Sequence, residues 1–558
     1  MEGSIYLEKI KFKNGYNLSL KRDSIVLFVG ANNSGKSVTL REIYLCLLEN
    51  SNINNVSVES VEVATDGTFQ NFKDNNSNLL QNTSYHAPTT HGSFSEGNLQ
   101  QSWIQCQKAV LSQYNVKILN TSDRLNLVSP PGSIDLVNQP PKHPFHVLQL
   151  NEEMLTNFGE HFKRAFNIDI TLNFGAGSNV PLHVGKKPTL KKKQDRVSSD
   201  YLRELKELPQ LQNQGDGMKS FTGVFLSLIA EKSYGISLID EPEAFLHPPQ
   251  ARLLGQMIGK DVSQSKQILI ATHSEHFLKG ILEYAEPRLI VVRLKREQSK
   301  VEQTSLINTD LQHIWRDSIL KNTNILDGLF HSKVVLCESD SDCLFFSAMA
   351  SSIAEATKLS SPDIHYIHCG GKDRFPVVMK ALRKINVPLT VIGDFDLYNN
   401  ERPLKQMYEI MGGTWNSIEK DFLKVKQNID SQRPELNTKD AKKALDDIFS
   451  SITTPNLLNE QIKNLQSVLK KSSAWTKAKS LGKSILASGD VTNSFNSLNS
   501  ALEKVGIIII QTGEIESFDK RYNSHGPKWV NEVLQNDLVN DPNLENARIF
   551  VKKNILFI

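Results

Sequence analysis

The chain has 558 residues, 39% of them hydrophobic and 22% charged. That balance suits globular domains and excludes collagen-like, wholly disordered and disulfide-scaffold classes. Its 64 basic and 61 acidic residues leave a formal charge of +3, so a nucleic-acid surface must come from local segregation of charge.

Five cysteines (Cys46, Cys106, Cys337, Cys343, Cys369) are widely spread and form no CxxC pair. This argues against zinc ribbons and fits a reducing cytoplasm. The N-terminal residues alternate like a strand and lack the pattern of a signal peptide. No apolar run approaches the ~18–20 residues of a membrane span. The expectation is a cytoplasmic protein that does not engage a membrane.

Ile25–Val29 (IVLFV) reads as a strand buried on both faces, and Ser37–Leu48 carries helical spacing. Between them Gly30-Ala31-Asn32-Asn33-Ser34-Gly35-Lys36-Ser37 matches GxxxxGK[ST] in full. In that strand–loop–helix context the backbone of Asn32, Asn33, Ser34 and Gly35 can wrap a phosphate at the helix N-terminus. Lys36 can reach the β- and γ-phosphates, and the Ser37 hydroxyl can ligate Mg²⁺. ATP with Mg²⁺ is the expected ligand.

From about Asp66 to Gln101 the chain is rich in Asn, Ser, Thr, Gln and Gly, which reads as a mobile insertion. Strand and helix patterns resume later. Ile236–Ile239 ends in Asp240 and Glu241. Paired carboxylates at a strand end call for a cation, so Asp240 is the expected Mg²⁺ ligand and Glu241 the expected general base. Gln267–Ala271 leads into Thr272 and His273, and that histidine is placed to contact a γ-phosphate.

A third α/β pattern opens at Lys333–Cys337, which ends in Glu338; Asp340 and Asp342 follow. Further apolar strands are expected at Ile364–Ile367 and Pro388–Ile392. The latter leads into Asp394-Phe395-Asp396. Residues 397–504 are mostly helical and basic in patches, and Val505–Gln511 returns to strand. Converging carboxylates repel one another unless Mg²⁺ or Mn²⁺ neutralises them. Two basic stretches stand out: Lys186, Lys187, Lys191–Lys193 and Arg196, then Lys463, Lys470, Lys471, Lys477, Lys479 and Lys483 around Trp475. The second adjoins the acidic strand ends, so it is the preferred nucleic-acid surface, with Trp475 available to stack on a base.

The first half resembles the ABC-type ATPase head of SMC proteins and related DNA-repair ATPases. Gln214-Gly215-Asp216-Gly217-Met218-Lys219-Ser220 resembles a degenerate ABC signature, though LSGGQ itself is absent. In such heads the signature of one protomer caps the nucleotide of the other. The resemblance therefore implies a homodimer through the heads, with Gly217 and Ser220 at the partner's γ-phosphate. Leu246-His247-Pro248 then lies where a D-loop would follow the interface.

The second half resembles a TOPRIM domain, whose Glu and DxD pattern is filled here by Glu338, Asp394 and Asp396. A head followed by TOPRIM resembles the OLD family of ATP-dependent nucleases, with relatives in Gabija, PARIS and retron-associated anti-phage systems. That implies an α/β protein: an ATPase domain at about 1–320 with an insertion near 66–200, then a TOPRIM domain at about 331–558 with a helical insertion near 400–504. It adds Asp342 and Glu516, with Glu514 behind them, to the metal set. A catalytic lysine follows from the same likeness, Lys528 first and Lys520 behind it. The implied activity is an ATP-regulated, Mg²⁺- or Mn²⁺-dependent endonuclease on DNA, in anti-phage defence. Its oligomer extends to a dimer or beyond, with a helicase, a retron RNA–DNA or another regulator as possible partner. Cleavage of tRNA or other RNA is the alternative within the enzyme class. An ATP-switched scaffold with an inert TOPRIM fold is the alternative outside it.

Overall fold

A computed structural model describes residues 3–557 apart from 50–53, 77–79, 82–83, 87–92, 140, 191–193, 231–234, 286, 298–299, 307, 318–319, 321–323, 433–436, 454 and 471–473. The apolar, β-branched runs become central strands of two separate sheets, one in each of two compact units, Met1–Arg316 and Asp317–Ile558.

In the first unit six strands lie in the order Lys300–Leu306, Leu289–Glu297, Ile25–Val29, Gln267–Ala271, Ile236–Asp240 and Val116–Leu119. Every neighbouring pair is parallel except the first. Ile25–Val29 is buried at all five positions, as a central strand covered on both faces requires. A smaller antiparallel sheet, Asn17–Ser19, Ser4–Phe12 and Val58–Asp66, lays Ile5, Leu7 and Ile10 into a core shared with Val26, Phe28 and Leu238.

The described residues of the Asn- and Ser-rich stretch are not all the loop that its composition suggests, and 77–79, 82–83 and 87–92 lie outside them. Its described residues include helices Phe69–Asn75 and Glu96–Ile104 and three short antiparallel strands. Few but large apolar side chains anchor it. Phe72 packs on Trp103 with ring centroids 5.0 Å apart, and Tyr114 Oη donates to the Tyr85 carbonyl at 2.8 Å.

The second unit holds four parallel strands in the order Ile364–His368, Lys333–Cys337, Leu389–Gly393 and Ile507–Ile509. Helices Glu401–Ile410, Glu419–Asp430, Thr438–Ser450, Asn459–Lys470, Ala474–Leu481 and Asp490–Lys504 fill the interval between the last two strands. Among the described residues no helix is long and apolar enough to cross a membrane.

Candidate active sites

In the first unit the phosphate loop leaves the buried strand at Gly30 and enters the helix Lys36–Leu47 at Gly35. The loop needs left-handed backbone at Asn33 (φ 62°) and Gly35 (φ 97°). At Gly35 a Cβ would also press on Val301, so glycine is required there on both counts. Asn32 and Asn33 are exposed and Ser34 is buried. Lys36 is folded over the loop and donates to the carbonyls of Gly30 and Ala31 at 2.8 and 2.9 Å.

The Ser37 hydroxyl donates to Asp240 Oδ1 at 2.9 Å. The pair expected to share a Mg²⁺ is thus in contact across adjacent elements. Burial raises the Asp240 pKa above the usual carboxylate range, with Glu241 adding to it and Ser37 opposing. A cation there would relieve that cost. Glu241 sits on a left-handed turn (φ 48°), which swings it off the strand end. His273 Nδ1 lies 3.3 Å from Glu241 Oε1 and 3.4 Å from Glu243 Oε1.

Glu243 escaped the sequence reading. It is fully packed away and accepts from Thr272 Oγ1 at 2.6 Å and His273 N at 3.0 Å. The signal was the second glutamate of Asp-Glu-Pro-Glu. Arg124, on the short helix Thr121–Asn126 after the edge strand Val116–Leu119, was not singled out as a site residue either.

The signature-like segment starts the helix Asp216–Phe225, with Gly215 at its N-cap. Gly215 and Asp216 are exposed and Gly217 is half-buried. Ser220 corrects the expectation: it is fully buried, and its Oγ accepts from Arg124 Nε at 3.2 Å. It lies a turn into the helix, so it faces its own protein core rather than a partner's nucleotide. His247 and Pro248, in the segment read as a D-loop, are exposed.

In the second unit Glu338 and Asp394 directly follow the adjacent parallel strands Lys333–Cys337 and Leu389–Gly393. Parallel strands bring such residues to one edge of the sheet, the usual position for a ligand. One ligand oxygen from each of Glu338, Asp394 and Asp396 lies within 4.8 Å of the others. A second group, Glu514, Glu516 and His525, meets the same limit. His525 was not foreseen.

Asp342 is one helical turn after Glu338. Its Oδ2 accepts from Ser339 N at 2.8 Å in a capping box, so it also starts the helix Asp340–Ala356. Burial raises the pKa of Glu338, Asp342 and Glu514, and of Asp394 most of all. Glu338 Oε2 and Asp396 Oδ1 are buried without a hydrogen-bond partner. Orphaned carboxylate oxygens facing other carboxylates fit a hard divalent cation.

Two lysines reach this centre. Lys372, in the Gly370-Gly371-Lys372 turn, donates to Asp396 Oδ2 at 2.6 Å. Lys479 Nζ lies 2.9 Å from Asp394 Oδ2 and 3.5 Å from Glu514 Oε2, between the two groups. Burial works against its charge, but Asp394, Asp396 and Glu514 hold its pKa above the usual lysine value. Lys528 and Lys520, the lysines favoured on sequence, are exposed, and neither forms an ion pair among the described residues.

Trp475 is also corrected. It is 7% exposed, and its Nε1 donates to Asp430 Oδ1 at 2.7 Å, so it holds the helical insertion together and is not available to stack on a base. Of the basic stretches, Lys186, Lys187, Lys463, Lys477 and Lys483 are exposed and Arg196 is half-buried. Lys191–Lys193, Lys471 and the Lys470 side chain lie outside the described residues.

Comparisons with known proteins agree with this division. Residues 25–279 match the family described as AAA domain, putative AbiEii toxin, Type IV TA system. Residues 329–396 match the family described as Overcoming lysogenization defect protein-like, TOPRIM domain. No curated protein matches the chain. Among solved structures, an Smc head bound to the C-winged helix domain of ScpA shares 13% identity over 54% of this chain and 98% of its own, with a TM-score of 0.33. The SMC head domain from Thermotoga maritima shares 12% over 55% and 100%, at 0.28. CbiO1 from Clostridium perfringens, part of an ABC transporter complex, shares 13% over 58% and 96%, at 0.27. An ATPase domain is matched in the first unit and an OLD-like TOPRIM domain in the second, a pairing that supports an OLD-family ATPase–TOPRIM protein.

Proposed function

We propose that this protein is an ATP-regulated, metal-dependent endonuclease that cuts DNA, and that it serves in anti-phage defence. The observation that carries the nuclease reading is the meeting of Glu338, Asp394 and Asp396 at one sheet edge, with two buried oxygens unpartnered. An inert TOPRIM fold gains nothing from so costly an arrangement. The DNA substrate and the defence role rest on the family resemblance.

Glu338, Asp394 and Asp396 hold one Mg²⁺ or Mn²⁺; Glu514 and Glu516 hold a second, with His525 beside them and Asp342 in reserve. When bound, the cations supply a more acidic water and charge neutralisation on the reacting phosphate. Lys479 adds a positive charge between the two carboxylate groups, where a backbone phosphate would need it. A cleft of about 630 Å³ lined by Thr512, Ser517, Lys483 and Lys520 adjoins the turn that carries Glu514 and Glu516. It offers a basic path to the centre.

In the ATPase unit, the backbone from Asn32 to Gly35 and Lys36 bind the ATP phosphates, and Ser37 and Asp240 hold Mg²⁺. Glu241 orients water, and His273 contacts the γ-phosphate. The protein pairs with a second copy so that Gly215–Lys219 of one protomer, Gly217 included, closes over the nucleotide of the other.

The test is cleavage of supercoiled plasmid and total tRNA with Mg²⁺ or Mn²⁺, beside Asp394→Ala. Plasmid nicking by the wild type, reduced roughly 100-fold or more in Asp394→Ala, is expected. Cleavage of tRNA alone moves the substrate to RNA. Undiminished cutting by Asp394→Ala removes the site assignment.

A further inference from the structure

The helix behind the glycine turn is tied to the backbone of the strand-end residues Asp240 and Glu241 through the Arg124 side chain. Arg124 lies on the short helix Thr121–Asn126 that follows the edge strand Val116–Leu119, and it is fully buried. Its guanidinium donates in three directions. Nε reaches Ser220 Oγ at 3.2 Å. Nη1 reaches the Asp240 carbonyl at 2.5 Å, and Nη2 the Glu241 carbonyl at 3.0 Å. Nη2 also reaches Thr121 Oγ1 at 3.2 Å.

A buried arginine adds little stability that apolar packing would not supply more cheaply; setting geometry is the better-attested use of such a group. Both ends of this bridge are at sites of interest. Ser220 lies a turn beyond the exposed Gly215 and Asp216, on a helix start that packs closely: a Cβ on Gly217 would collide with the Phe245 carbonyl. At the other end, Arg124 grips the carbonyls on either side of the Glu241 Cα. The dihedral that aims the Glu241 side chain, φ 48°, is strained for a residue with a Cβ. It is held by the guanidinium that also holds Ser220.

We propose that Arg124 is a positioning residue that couples the Gly215–Lys219 turn to Glu241 within one protomer. The inference rests on the head-to-head arrangement of the proposed function. In that arrangement a protomer's glycine turn meets its partner's nucleotide, while its Glu241 serves its own. A shift of the turn on nucleotide capture moves Ser220, then Arg124, then the two carbonyls. Each nucleotide thereby tells the other composite site when to align its general base, and the two sites fire together.

Ser220→Ala tests this, since it cuts the link while keeping the helix and almost all of the side-chain volume. Arg124→Lys keeps the charge but cannot bridge both ends. The readouts are thermal melting, kcat, KM and Hill coefficient for ATP hydrolysis, and ATP-driven dimerisation by size-exclusion chromatography. For Ser220→Ala the expected result is unchanged dimerisation, KM within about twofold, kcat reduced roughly tenfold and a Hill coefficient lowered to about one. Arg124→Lys, if it melts as the wild type does, shows the same split more strongly; if it does not fold, Ser220→Ala decides alone. A wild type with no ATP-driven dimer overturns the head-to-head reading. A cooperative wild type with an equally fast and cooperative Ser220→Ala overturns the coupling alone. So does a Ser220→Ala in which KM worsens as much as kcat, the mark of general damage.

Discussion

Lys479 shows how one charge can connect a helical insertion to a carboxylate-lined sheet edge. Its ammonium lies between Asp394 and Glu514, whereas Lys528 points to solvent at the start of the helix Pro527–Val533. Removing a preorganised positive group from a phosphoryl-transfer site costs on the order of 10²-fold. Lys479→Ala is therefore expected to cut plasmid about 100-fold more slowly, while Lys528→Ala stays within about twofold; single-turnover cleavage rates check both. A different side chain contributes to acid sensitivity in the ATPase unit. Burial, with His146 and Lys117 nearby, lowers the His143 pKa from 6.5 to about 4. Its neutral Nδ1 accepts from Phe145 N at 3.2 Å and so caps the helix Pro144–Leu150. Between pH 6.5 and about 4 the unfolded chain binds this proton and the native one does not, so stability falls as pH falls through that window. Melting curves from pH 7 to pH 4 are expected to show a shallower acid-side loss in His143→Asn, which keeps an acceptor but does not titrate.

The helix Ala474–Leu481 owes its place to two glycines. Gly482 ends it with φ 57°, and a Cβ there would collide with the backbone of Gln511 and Thr512. Gly513, with φ 127°, has no room for a Cβ either, because the Lys479 carbonyl lies against it. The two backbones touch, and Lys483 N donates to the Gln511 carbonyl at 2.8 Å. On its other side the Gly513 carbonyl accepts from Phe395 N at 2.7 Å. One turn thus binds the insertion helix to the Asp394–Asp396 segment. Gly513→Ala forces a strained φ and a backbone collision, which should push Lys479 away from Asp394. The expected result is a loss of cleavage comparable to Lys479→Ala with ATP hydrolysis kept, measured on the same preparation.

Across the molecule the two chemistries sit in separate compact units, so they should separate by mutation. Asp394→Ala is expected to hydrolyse ATP within about twofold of wild type. Lys36→Ala is expected to lose ATP binding, because Lys36 is the one loop side chain that supplies full charge to the phosphates. Its effect on cleavage, read on plasmid with and without ATP, reports whether nucleotide gates the nuclease. Unchanged cleavage in Lys36→Ala under both conditions would remove the ATP-regulated part of the reading.

The chain order itself sufficed for the phosphate loop, the Asp240–Glu241 pair and the Glu338 and Asp394–Asp396 acids. Each is a contiguous motif at the end of an apolar run, and a strand followed by a turn needs no distant partner to be recognised. The α/β class was legible for the same reason. Three-dimensional packing was needed wherever segments remote in sequence meet. It turned Lys479 inward from a stretch that reads as a nucleic-acid surface, and it buried Trp475 against Asp430. It also placed Ser220 on Arg124 rather than toward a nucleotide, and folded an Asn-rich segment around Phe72 and Tyr85. Composition records how polar a segment is, but which of its few anchors find a partner depends on backbone contacts such as Gly482 against Gly513, and no local pattern encodes those.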